Sequence, residues 1–75
     1  MTYAFTTALR GYDMRQVEEL LENAERALAS GRDQDRESAL AALRAAAFSV
    51  RLRGYDRSQV DRFIDNLLRE LGSTP

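Results

Sequence analysis

The feature that most constrains this chain is an internal duplication. With Phe5 set against Phe48, the residues Phe5, Leu9, Arg10, Gly11, Tyr12, Asp13, Gln16, Val17 and Asn23 match Phe48, Leu52, Arg53, Gly54, Tyr55, Asp56, Gln59, Val60 and Asn66. These are nine identities over nineteen gapless positions. Conservative pairs extend the match: Glu18 with Asp61, Leu20 with Phe63, Leu21 with Ile64, Glu22 with Asp65. A chain of 75 residues that carries Leu-Arg-Gly-Tyr-Asp twice is read first as two copies of one unit.

Each copy continues as an amphipathic helix. Apolar residues fall at Val17, Leu20, Leu21, Ala24 and Leu28, then at Val60, Phe63, Ile64, Leu67, Leu68 and Leu71. Both series follow the i, i+3, i+4, i+7 spacing of one helical face. The spacing predicts helices over 14–29 and 57–71, stopping at Ser30-Gly31 and at Gly72, where glycine ends a helix easily. Between them the alanine-rich stretch 33–47 predicts a third helix. Asp33 or Asp35 would cap it. Leu40, Leu43 and Ala47 would form its larger stripe, and Ala39, Ala42 and Ala46 would admit a close neighbour. The segments Thr6–Arg10 and Ser49–Arg53 are too short to predict a useful strand, although the two could touch each other. The expected fold is therefore all-α, one domain over 1–75. Repeat one spans 5–29, a linking helix 33–47, and repeat two 48–71.

Most of the repeated motif is explained by starting a helix. Asp13 and Asp56 are good N-caps, because a carboxylate accepts from the free N–H groups of the first turn. Gln16 and Gln59, three residues on, can reach back to the cap's own N–H and complete a capping box. Tyr12 with Val17, and Tyr55 with Val60, have the spacing of a hydrophobic staple. Gly11 and Gly54 allow backbone conformations that other residues resist. Phe5 and Phe48 are expected to pack back on the helix each precedes. The pairs Leu9-Arg10 and Leu52-Arg53 have no such role. Either the leucines are core and the arginines meet carboxylates, or the pairs are contact residues at a loop tip.

Composition excludes several function classes. The chain has no cysteine and no histidine, so neither nucleophilic nor ordinary acid–base or zinc chemistry is expected, and no cofactor. The net charge is -1, which does not favour bulk attraction to nucleic acid. Arg51, Arg53, Arg57 and Arg62 do gather near the last helix, but Asp56, Asp61 and Asp65 stand among them. No apolar run is long enough to span a bilayer, and no signal-peptide pattern is present. The cytoplasm is the expected location. The stripe from Val60 to Leu71 exceeds what a small alanine-rich helix covers, so a homodimer is expected.

The motif resembles the N-terminal domain of the DivIVA family of bacterial cell-division and polar-growth proteins. That domain shows a phenylalanine, then an apolar residue before Arg-Gly-Tyr-Asp, then Val-Asp-x-Phe-Leu. The second copy matches with Phe48, Leu52, Arg53, Gly54, Tyr55, Asp56, Val60, Asp61, Phe63 and Ile64. The first is looser, with Glu18 and Leu20 in the aspartate and phenylalanine places. The resemblance implies a dimerising scaffold whose crossed loop presents an apolar residue and an arginine to membrane. By motif position these are Leu9 with Arg10 and Leu52 with Arg53. It implies an anionic membrane surface or a protein as partner, and a peripheral position on the inner face of the cell membrane. Two copies in one chain could pack together as the family dimer does. The departures are leucine where a bulkier residue is usual, the tandem arrangement, and the missing long coiled coil.

Overall fold

The computed structural model describes residues 4–72. Its elements run β1 (Thr7–Tyr12), α1 (Met14–Ala29), α2 (Asp33–Arg44), β2 (Val50–Tyr55) and α3 (Arg57–Gly72). The two copies are thus β1–α1 and β2–α3, with α2 between them. Helices α1 and α3 form where the apolar spacing places them, and Gly31 ends α1 with a φ of 73°.

The core is small. It consists of Val17, Leu21 and Ala24 from α1, Ala39 and Leu43 from α2, Tyr55, and Val60 and Ile64 from α3. Helix α2 lies mainly against α1 and less against α3. Its buried residues are Ala39 and Leu43, while Leu40 is half-buried and Ala42 and Ala47 are exposed. The stripe expected on Leu40, Leu43 and Ala47 is therefore rotated.

Three further expectations are corrected. The fold is not purely helical, because β1 and β2 pair in a two-stranded sheet. Thr7 lies opposite Tyr55, Ala8 opposite Gly54, Leu9 opposite Arg53, Gly11 opposite Arg51 and Tyr12 opposite Val50. One index falls as the other rises, so this register is antiparallel. At the base of the loops Tyr12 also meets Tyr55, its own counterpart in the other copy. The linking helix ends at Arg44 instead of 47. Alanine propensity would carry it further, but Ser49 must lie extended for its carbonyl to accept from Asp13 N–H at 2.9 Å. Tertiary pairing here overrides local propensity. Finally, α2 is preceded by Arg32 with no side-chain cap, and Asp33 and Asp35 sit inside its first turn. There they act through charge on the positive helix end.

The two copies are related by a pseudo-twofold, and the shift of 43 residues from Phe5 to Phe48 describes it. Applied to the pair Thr7–Tyr55, the shift returns Val50–Tyr12, which is also a pair. The axis passes where the two backbones cross at Gly11 and Gly54. A Cβ on Gly11 would stand 2.4 Å from the Tyr55 carbonyl oxygen, and one on Gly54 would stand 2.2 Å from that of Tyr12. These neighbours are main chain and cannot swing aside. Gly31, by contrast, faces open space and is special only in its φ.

Gly11→Ala and Gly54→Ala are each expected to cost about 3 kcal/mol or more, as overpacking that only backbone movement can relieve. Gly31→Ala is expected to cost about 1 kcal/mol, from the left-handed backbone alone. Urea denaturation of the three variants checks the ranking.

Candidate functional site

The site begins with the helix starts. Asp13 Oδ1 accepts from Gln16 N–H at 3.0 Å, and Asp56 Oδ1 accepts from Gln59 N–H at 3.1 Å. Both aspartates are therefore the N-caps the motif predicts. The other half of the capping box is not formed. The cap N–H groups donate across the pseudo-twofold, Asp13 to the Ser49 carbonyl at 2.9 Å and Asp56 to that of Thr6 at 2.8 Å.

The glutamines reach across as well. Gln16 Oε1 accepts from Ser49 N–H at 2.7 Å, and its Nε2 donates to Ser49 Oγ at 3.3 Å. Gln59 does the same with Thr6, at 2.7 Å to the N–H and 3.0 Å to Oγ1. The physical reason is availability. Once the cap N–H is bonded to the opposite arm, the glutamine has no donor left behind it.

The aromatic residues follow the same rule. Tyr12 OH donates to Asp61 at 2.8 Å, and Tyr55 OH donates to Glu18. Phe5 packs on Tyr55 at 5.3 Å between ring centroids and edge-on to Phe63 at 5.5 Å. Phe48 packs on Tyr12 at 5.1 Å. The expectation that each phenylalanine packs on the helix it precedes is thus corrected for Phe5, whose ring contacts are Tyr55 and Phe63 of the other copy, while Phe48 reaches across to Tyr12. Val17 and Val60 are fully buried beneath this layer.

These exchanged arms hold the two Leu-Arg turns out into solvent at one end of the molecule. Leu9 is 74% exposed and Leu52 is 80% exposed, with Val50 beside them at 46%. Among the described residues these are the large hydrophobics that remain exposed, and all three lie on the crossed loop. The leucines are therefore not core. Arg10 and Arg53 are exposed and have no carboxylate partner among the described residues. Arg10 has a φ of 61°, the one positive value among described non-glycine residues.

Sequence reading missed Val50 and Arg51 as members of this tip. The signal was the weak alternation over Ser49–Arg53, which in a strand places Val50 and Leu52 on one side. Arg51 Nε donates to Asp13 Oδ2 at 2.9 Å and forms an ion pair with it. Asp13 is held below the usual carboxylate range by the Gln16 N–H first and the Arg51 bond second. Tyr12 is raised, by burial first and then by its bond to Asp61. Tyr55 is pushed up to about 12, chiefly by its bond to Glu18 and then by burial.

No family model, curated protein or solved structure matches this chain. No helix among the described residues is long and apolar enough to cross a membrane, and no cluster of them could hold a metal ion.

Two outcomes are expected from this geometry. The folded state keeps the Tyr55 proton more tightly than the unfolded chain, whose tyrosines ionise near 10.0. Its contribution to stability is complete below pH 10.0 and is lost as pH rises towards about 12. Ultraviolet titration of wild type and Glu18→Gln checks this, with the Tyr55 transition moving down in the variant. Arg10→Gly is expected to raise stability by up to about 1 kcal/mol by relieving the left-handed backbone. An unchanged or lower denaturation midpoint would show that the turn carries no strain.

Proposed function

We propose that this chain is a non-enzymatic scaffold or adaptor of the DivIVA type, acting in bacterial cell division or polar growth. In this reading the crossed loop of Leu9, Arg10, Leu52 and Arg53 rests on an anionic membrane surface. The observation that carries it is the tip itself. Both leucines stand exposed, each beside an exposed arginine, on a loop braced by backbone crossing and exchanged hydrogen bonds. The motif's resemblance supplies the family, and the pseudo-twofold supports it. The family domain needs two chains to cross its loops, whereas here the two copies cross within one chain.

The magnitudes favour reversible binding. Inserting one leucine is worth at most about 2 kcal/mol, and each arginine near an anionic surface adds about 1 kcal/mol. Two turns then give about 6 kcal/mol as an upper limit. A single myristoyl chain already gives only marginal anchoring. Stable residence at a membrane therefore calls for several chains acting together. Because the crossed loop is satisfied within one chain, self-association would use another surface. Helix α3 offers Phe63, Leu67, Leu68 and Leu71, which are only half-buried. A homodimer through that stripe is part of this proposal, as is a peripheral position on the inner face of the cell membrane.

The second reading is a soluble protein-binding module that keeps the fold without membrane contact. It is favoured by leucine in place of a bulkier apolar residue, since an exposed leucine beside an arginine suits a protein groove equally well.

Flotation with anionic vesicles separates the two. Wild type is expected to float, and Leu9→Ser/Arg10→Ala/Leu52→Ser/Arg53→Ala is expected to stay down while its far-ultraviolet circular dichroism remains helical. A wild type that stays down would end the membrane reading and leave protein binding.

A further inference from the structure

The tip is not symmetric, and the asymmetry has chemical content. The shift that relates the copies sets Thr7 against Val50 and Ala8 against Arg51. Copy two therefore contributes Val50-Arg51-Leu52-Arg53 where copy one contributes Thr7-Ala8-Leu9-Arg10. One result is a concavity of about 270 Å³ lined by Arg10, Val50, Arg51 and Leu52. The equivalent place on the other side would be lined by Arg53, Thr7, Ala8 and Leu9. It would have one arginine instead of two and one large apolar residue instead of two.

The two arginines are prepared in different ways. Arg51 uses Nε to bond Asp13, which is itself fixed as the N-cap of α1. That bond orients the guanidinium while its two terminal nitrogens keep their donors. Arg10 sits at the left-handed residue of the turn, exposed and without a carboxylate. Planar guanidinium groups match the oxygens of phosphate in a forked geometry. Val50 and Leu52 complete the wall with hydrocarbon. A ligand that fits carries a tetrahedral anion joined to an apolar stem.

We infer that Arg10, Val50, Arg51 and Leu52 form a single phosphate-binding site per chain, shaped for the phosphodiester of an anionic phospholipid. The source of the phosphate rests on the membrane reading above, whereas the site itself rests on the two arginines. Asp13 is then a positioning residue for Arg51. The first copy lacks the site because Ala8 and Thr7 stand in the corresponding places.

Nuclear magnetic resonance of the full, isotope-labelled chain tests this. The probes are dihexanoylphosphatidylglycerol below its micelle concentration, inorganic phosphate, and acetate. The short-chain lipid is expected to shift the amides of Arg10 and Val50–Leu52 saturably with one site per chain, inorganic phosphate to do so more weakly, and acetate hardly at all. Arg51→Gln is expected to weaken lipid binding about fivefold, the effect of one arginine at an anionic surface, with helical content unchanged. Thr7→Val/Ala8→Arg is expected to create a second site, and it does not depend on losing anything from the wild type. Binding of lipid and phosphate by a chain that fails to float would support the site and reject the membrane reading. Flotation without saturable shifts would overturn the site and leave the membrane reading standing. Acetate acting as strongly as phosphate, which would point to an acidic peptide, would also overturn it. So would unchanged lipid affinity in Arg51→Gln.

Discussion

The close approach of Gly11 to Gly54 is the constraint on which the rest of the structure depends. No side-chain carbon fits between these backbones, since each would-be Cβ lies under 2.5 Å from an opposing carbonyl oxygen. Once the chains cross there, each arm must pass onto the other copy's side. Ser49 and Thr6 then lie beside the opposite cap, so the cap N–H groups are satisfied across the axis and the glutamines follow. The tyrosine hydroxyls and the Phe5 ring reach the opposite helix for the same reason. A motif that reads as a local helix start is in fact a mutual one, in which each copy completes the other.

Joining the copies in one chain changes the thermodynamics of that exchange. Between separate chains the crossing would depend on concentration. Within one chain the second copy is always present at the high effective concentration that a short connection sets. Helix α2 is that connection, and it also contributes Ala39 and Leu43 to a core that is otherwise thin. It has no counterpart under the pseudo-twofold, and it leans towards α1. The link thus introduces asymmetry into the helices, just as Val50 and Arg51 introduce it into the tip. A fused pair is free to specialise one half, because a substitution need not be suffered twice.

Much of this was legible in the residues. The duplication, the two amphipathic helices, the aspartate caps and the stop at Gly31 all follow from local spacing and are as expected. What was not legible depends on partners distant in sequence. The strands are six residues each and carry no strong alternation, so the residues allow the two segments to touch without showing that they pair or in what register. Gln16 and Gln59 had a plausible local bond, and nothing in their spacing shows that the cap N–H is already taken. The end of α2 at Arg44 contradicts alanine's preference because Ser49 is needed in register with Asp13. Arg51 was seen only as one of a group of arginines, since the duplication directs attention to what the copies share. Its significance lies in what they do not share.

Rigidity at the tip matters to what such weak contacts can achieve. A mobile loop would lose conformational freedom on docking, at about 0.5–1.5 kcal/mol for each side chain immobilised. Against an upper limit near 6 kcal/mol that loss would decide the outcome. Here the backbone of the turns is braced by the crossing, the caps and the Arg51–Asp13 pair, and the leucines stand exposed before any partner arrives. Folding thus supplies the order of the backbone, while the exposed side chains still lose freedom on docking. That leaves the small energy of two leucines and a few arginines available for contact, while keeping any single engagement brief. Under the proposed function, residence time is then set by how many chains gather, so the half-buried stripe of α3 and the tip are two parts of one device: the tip selects the surface, and self-association determines how long the protein stays.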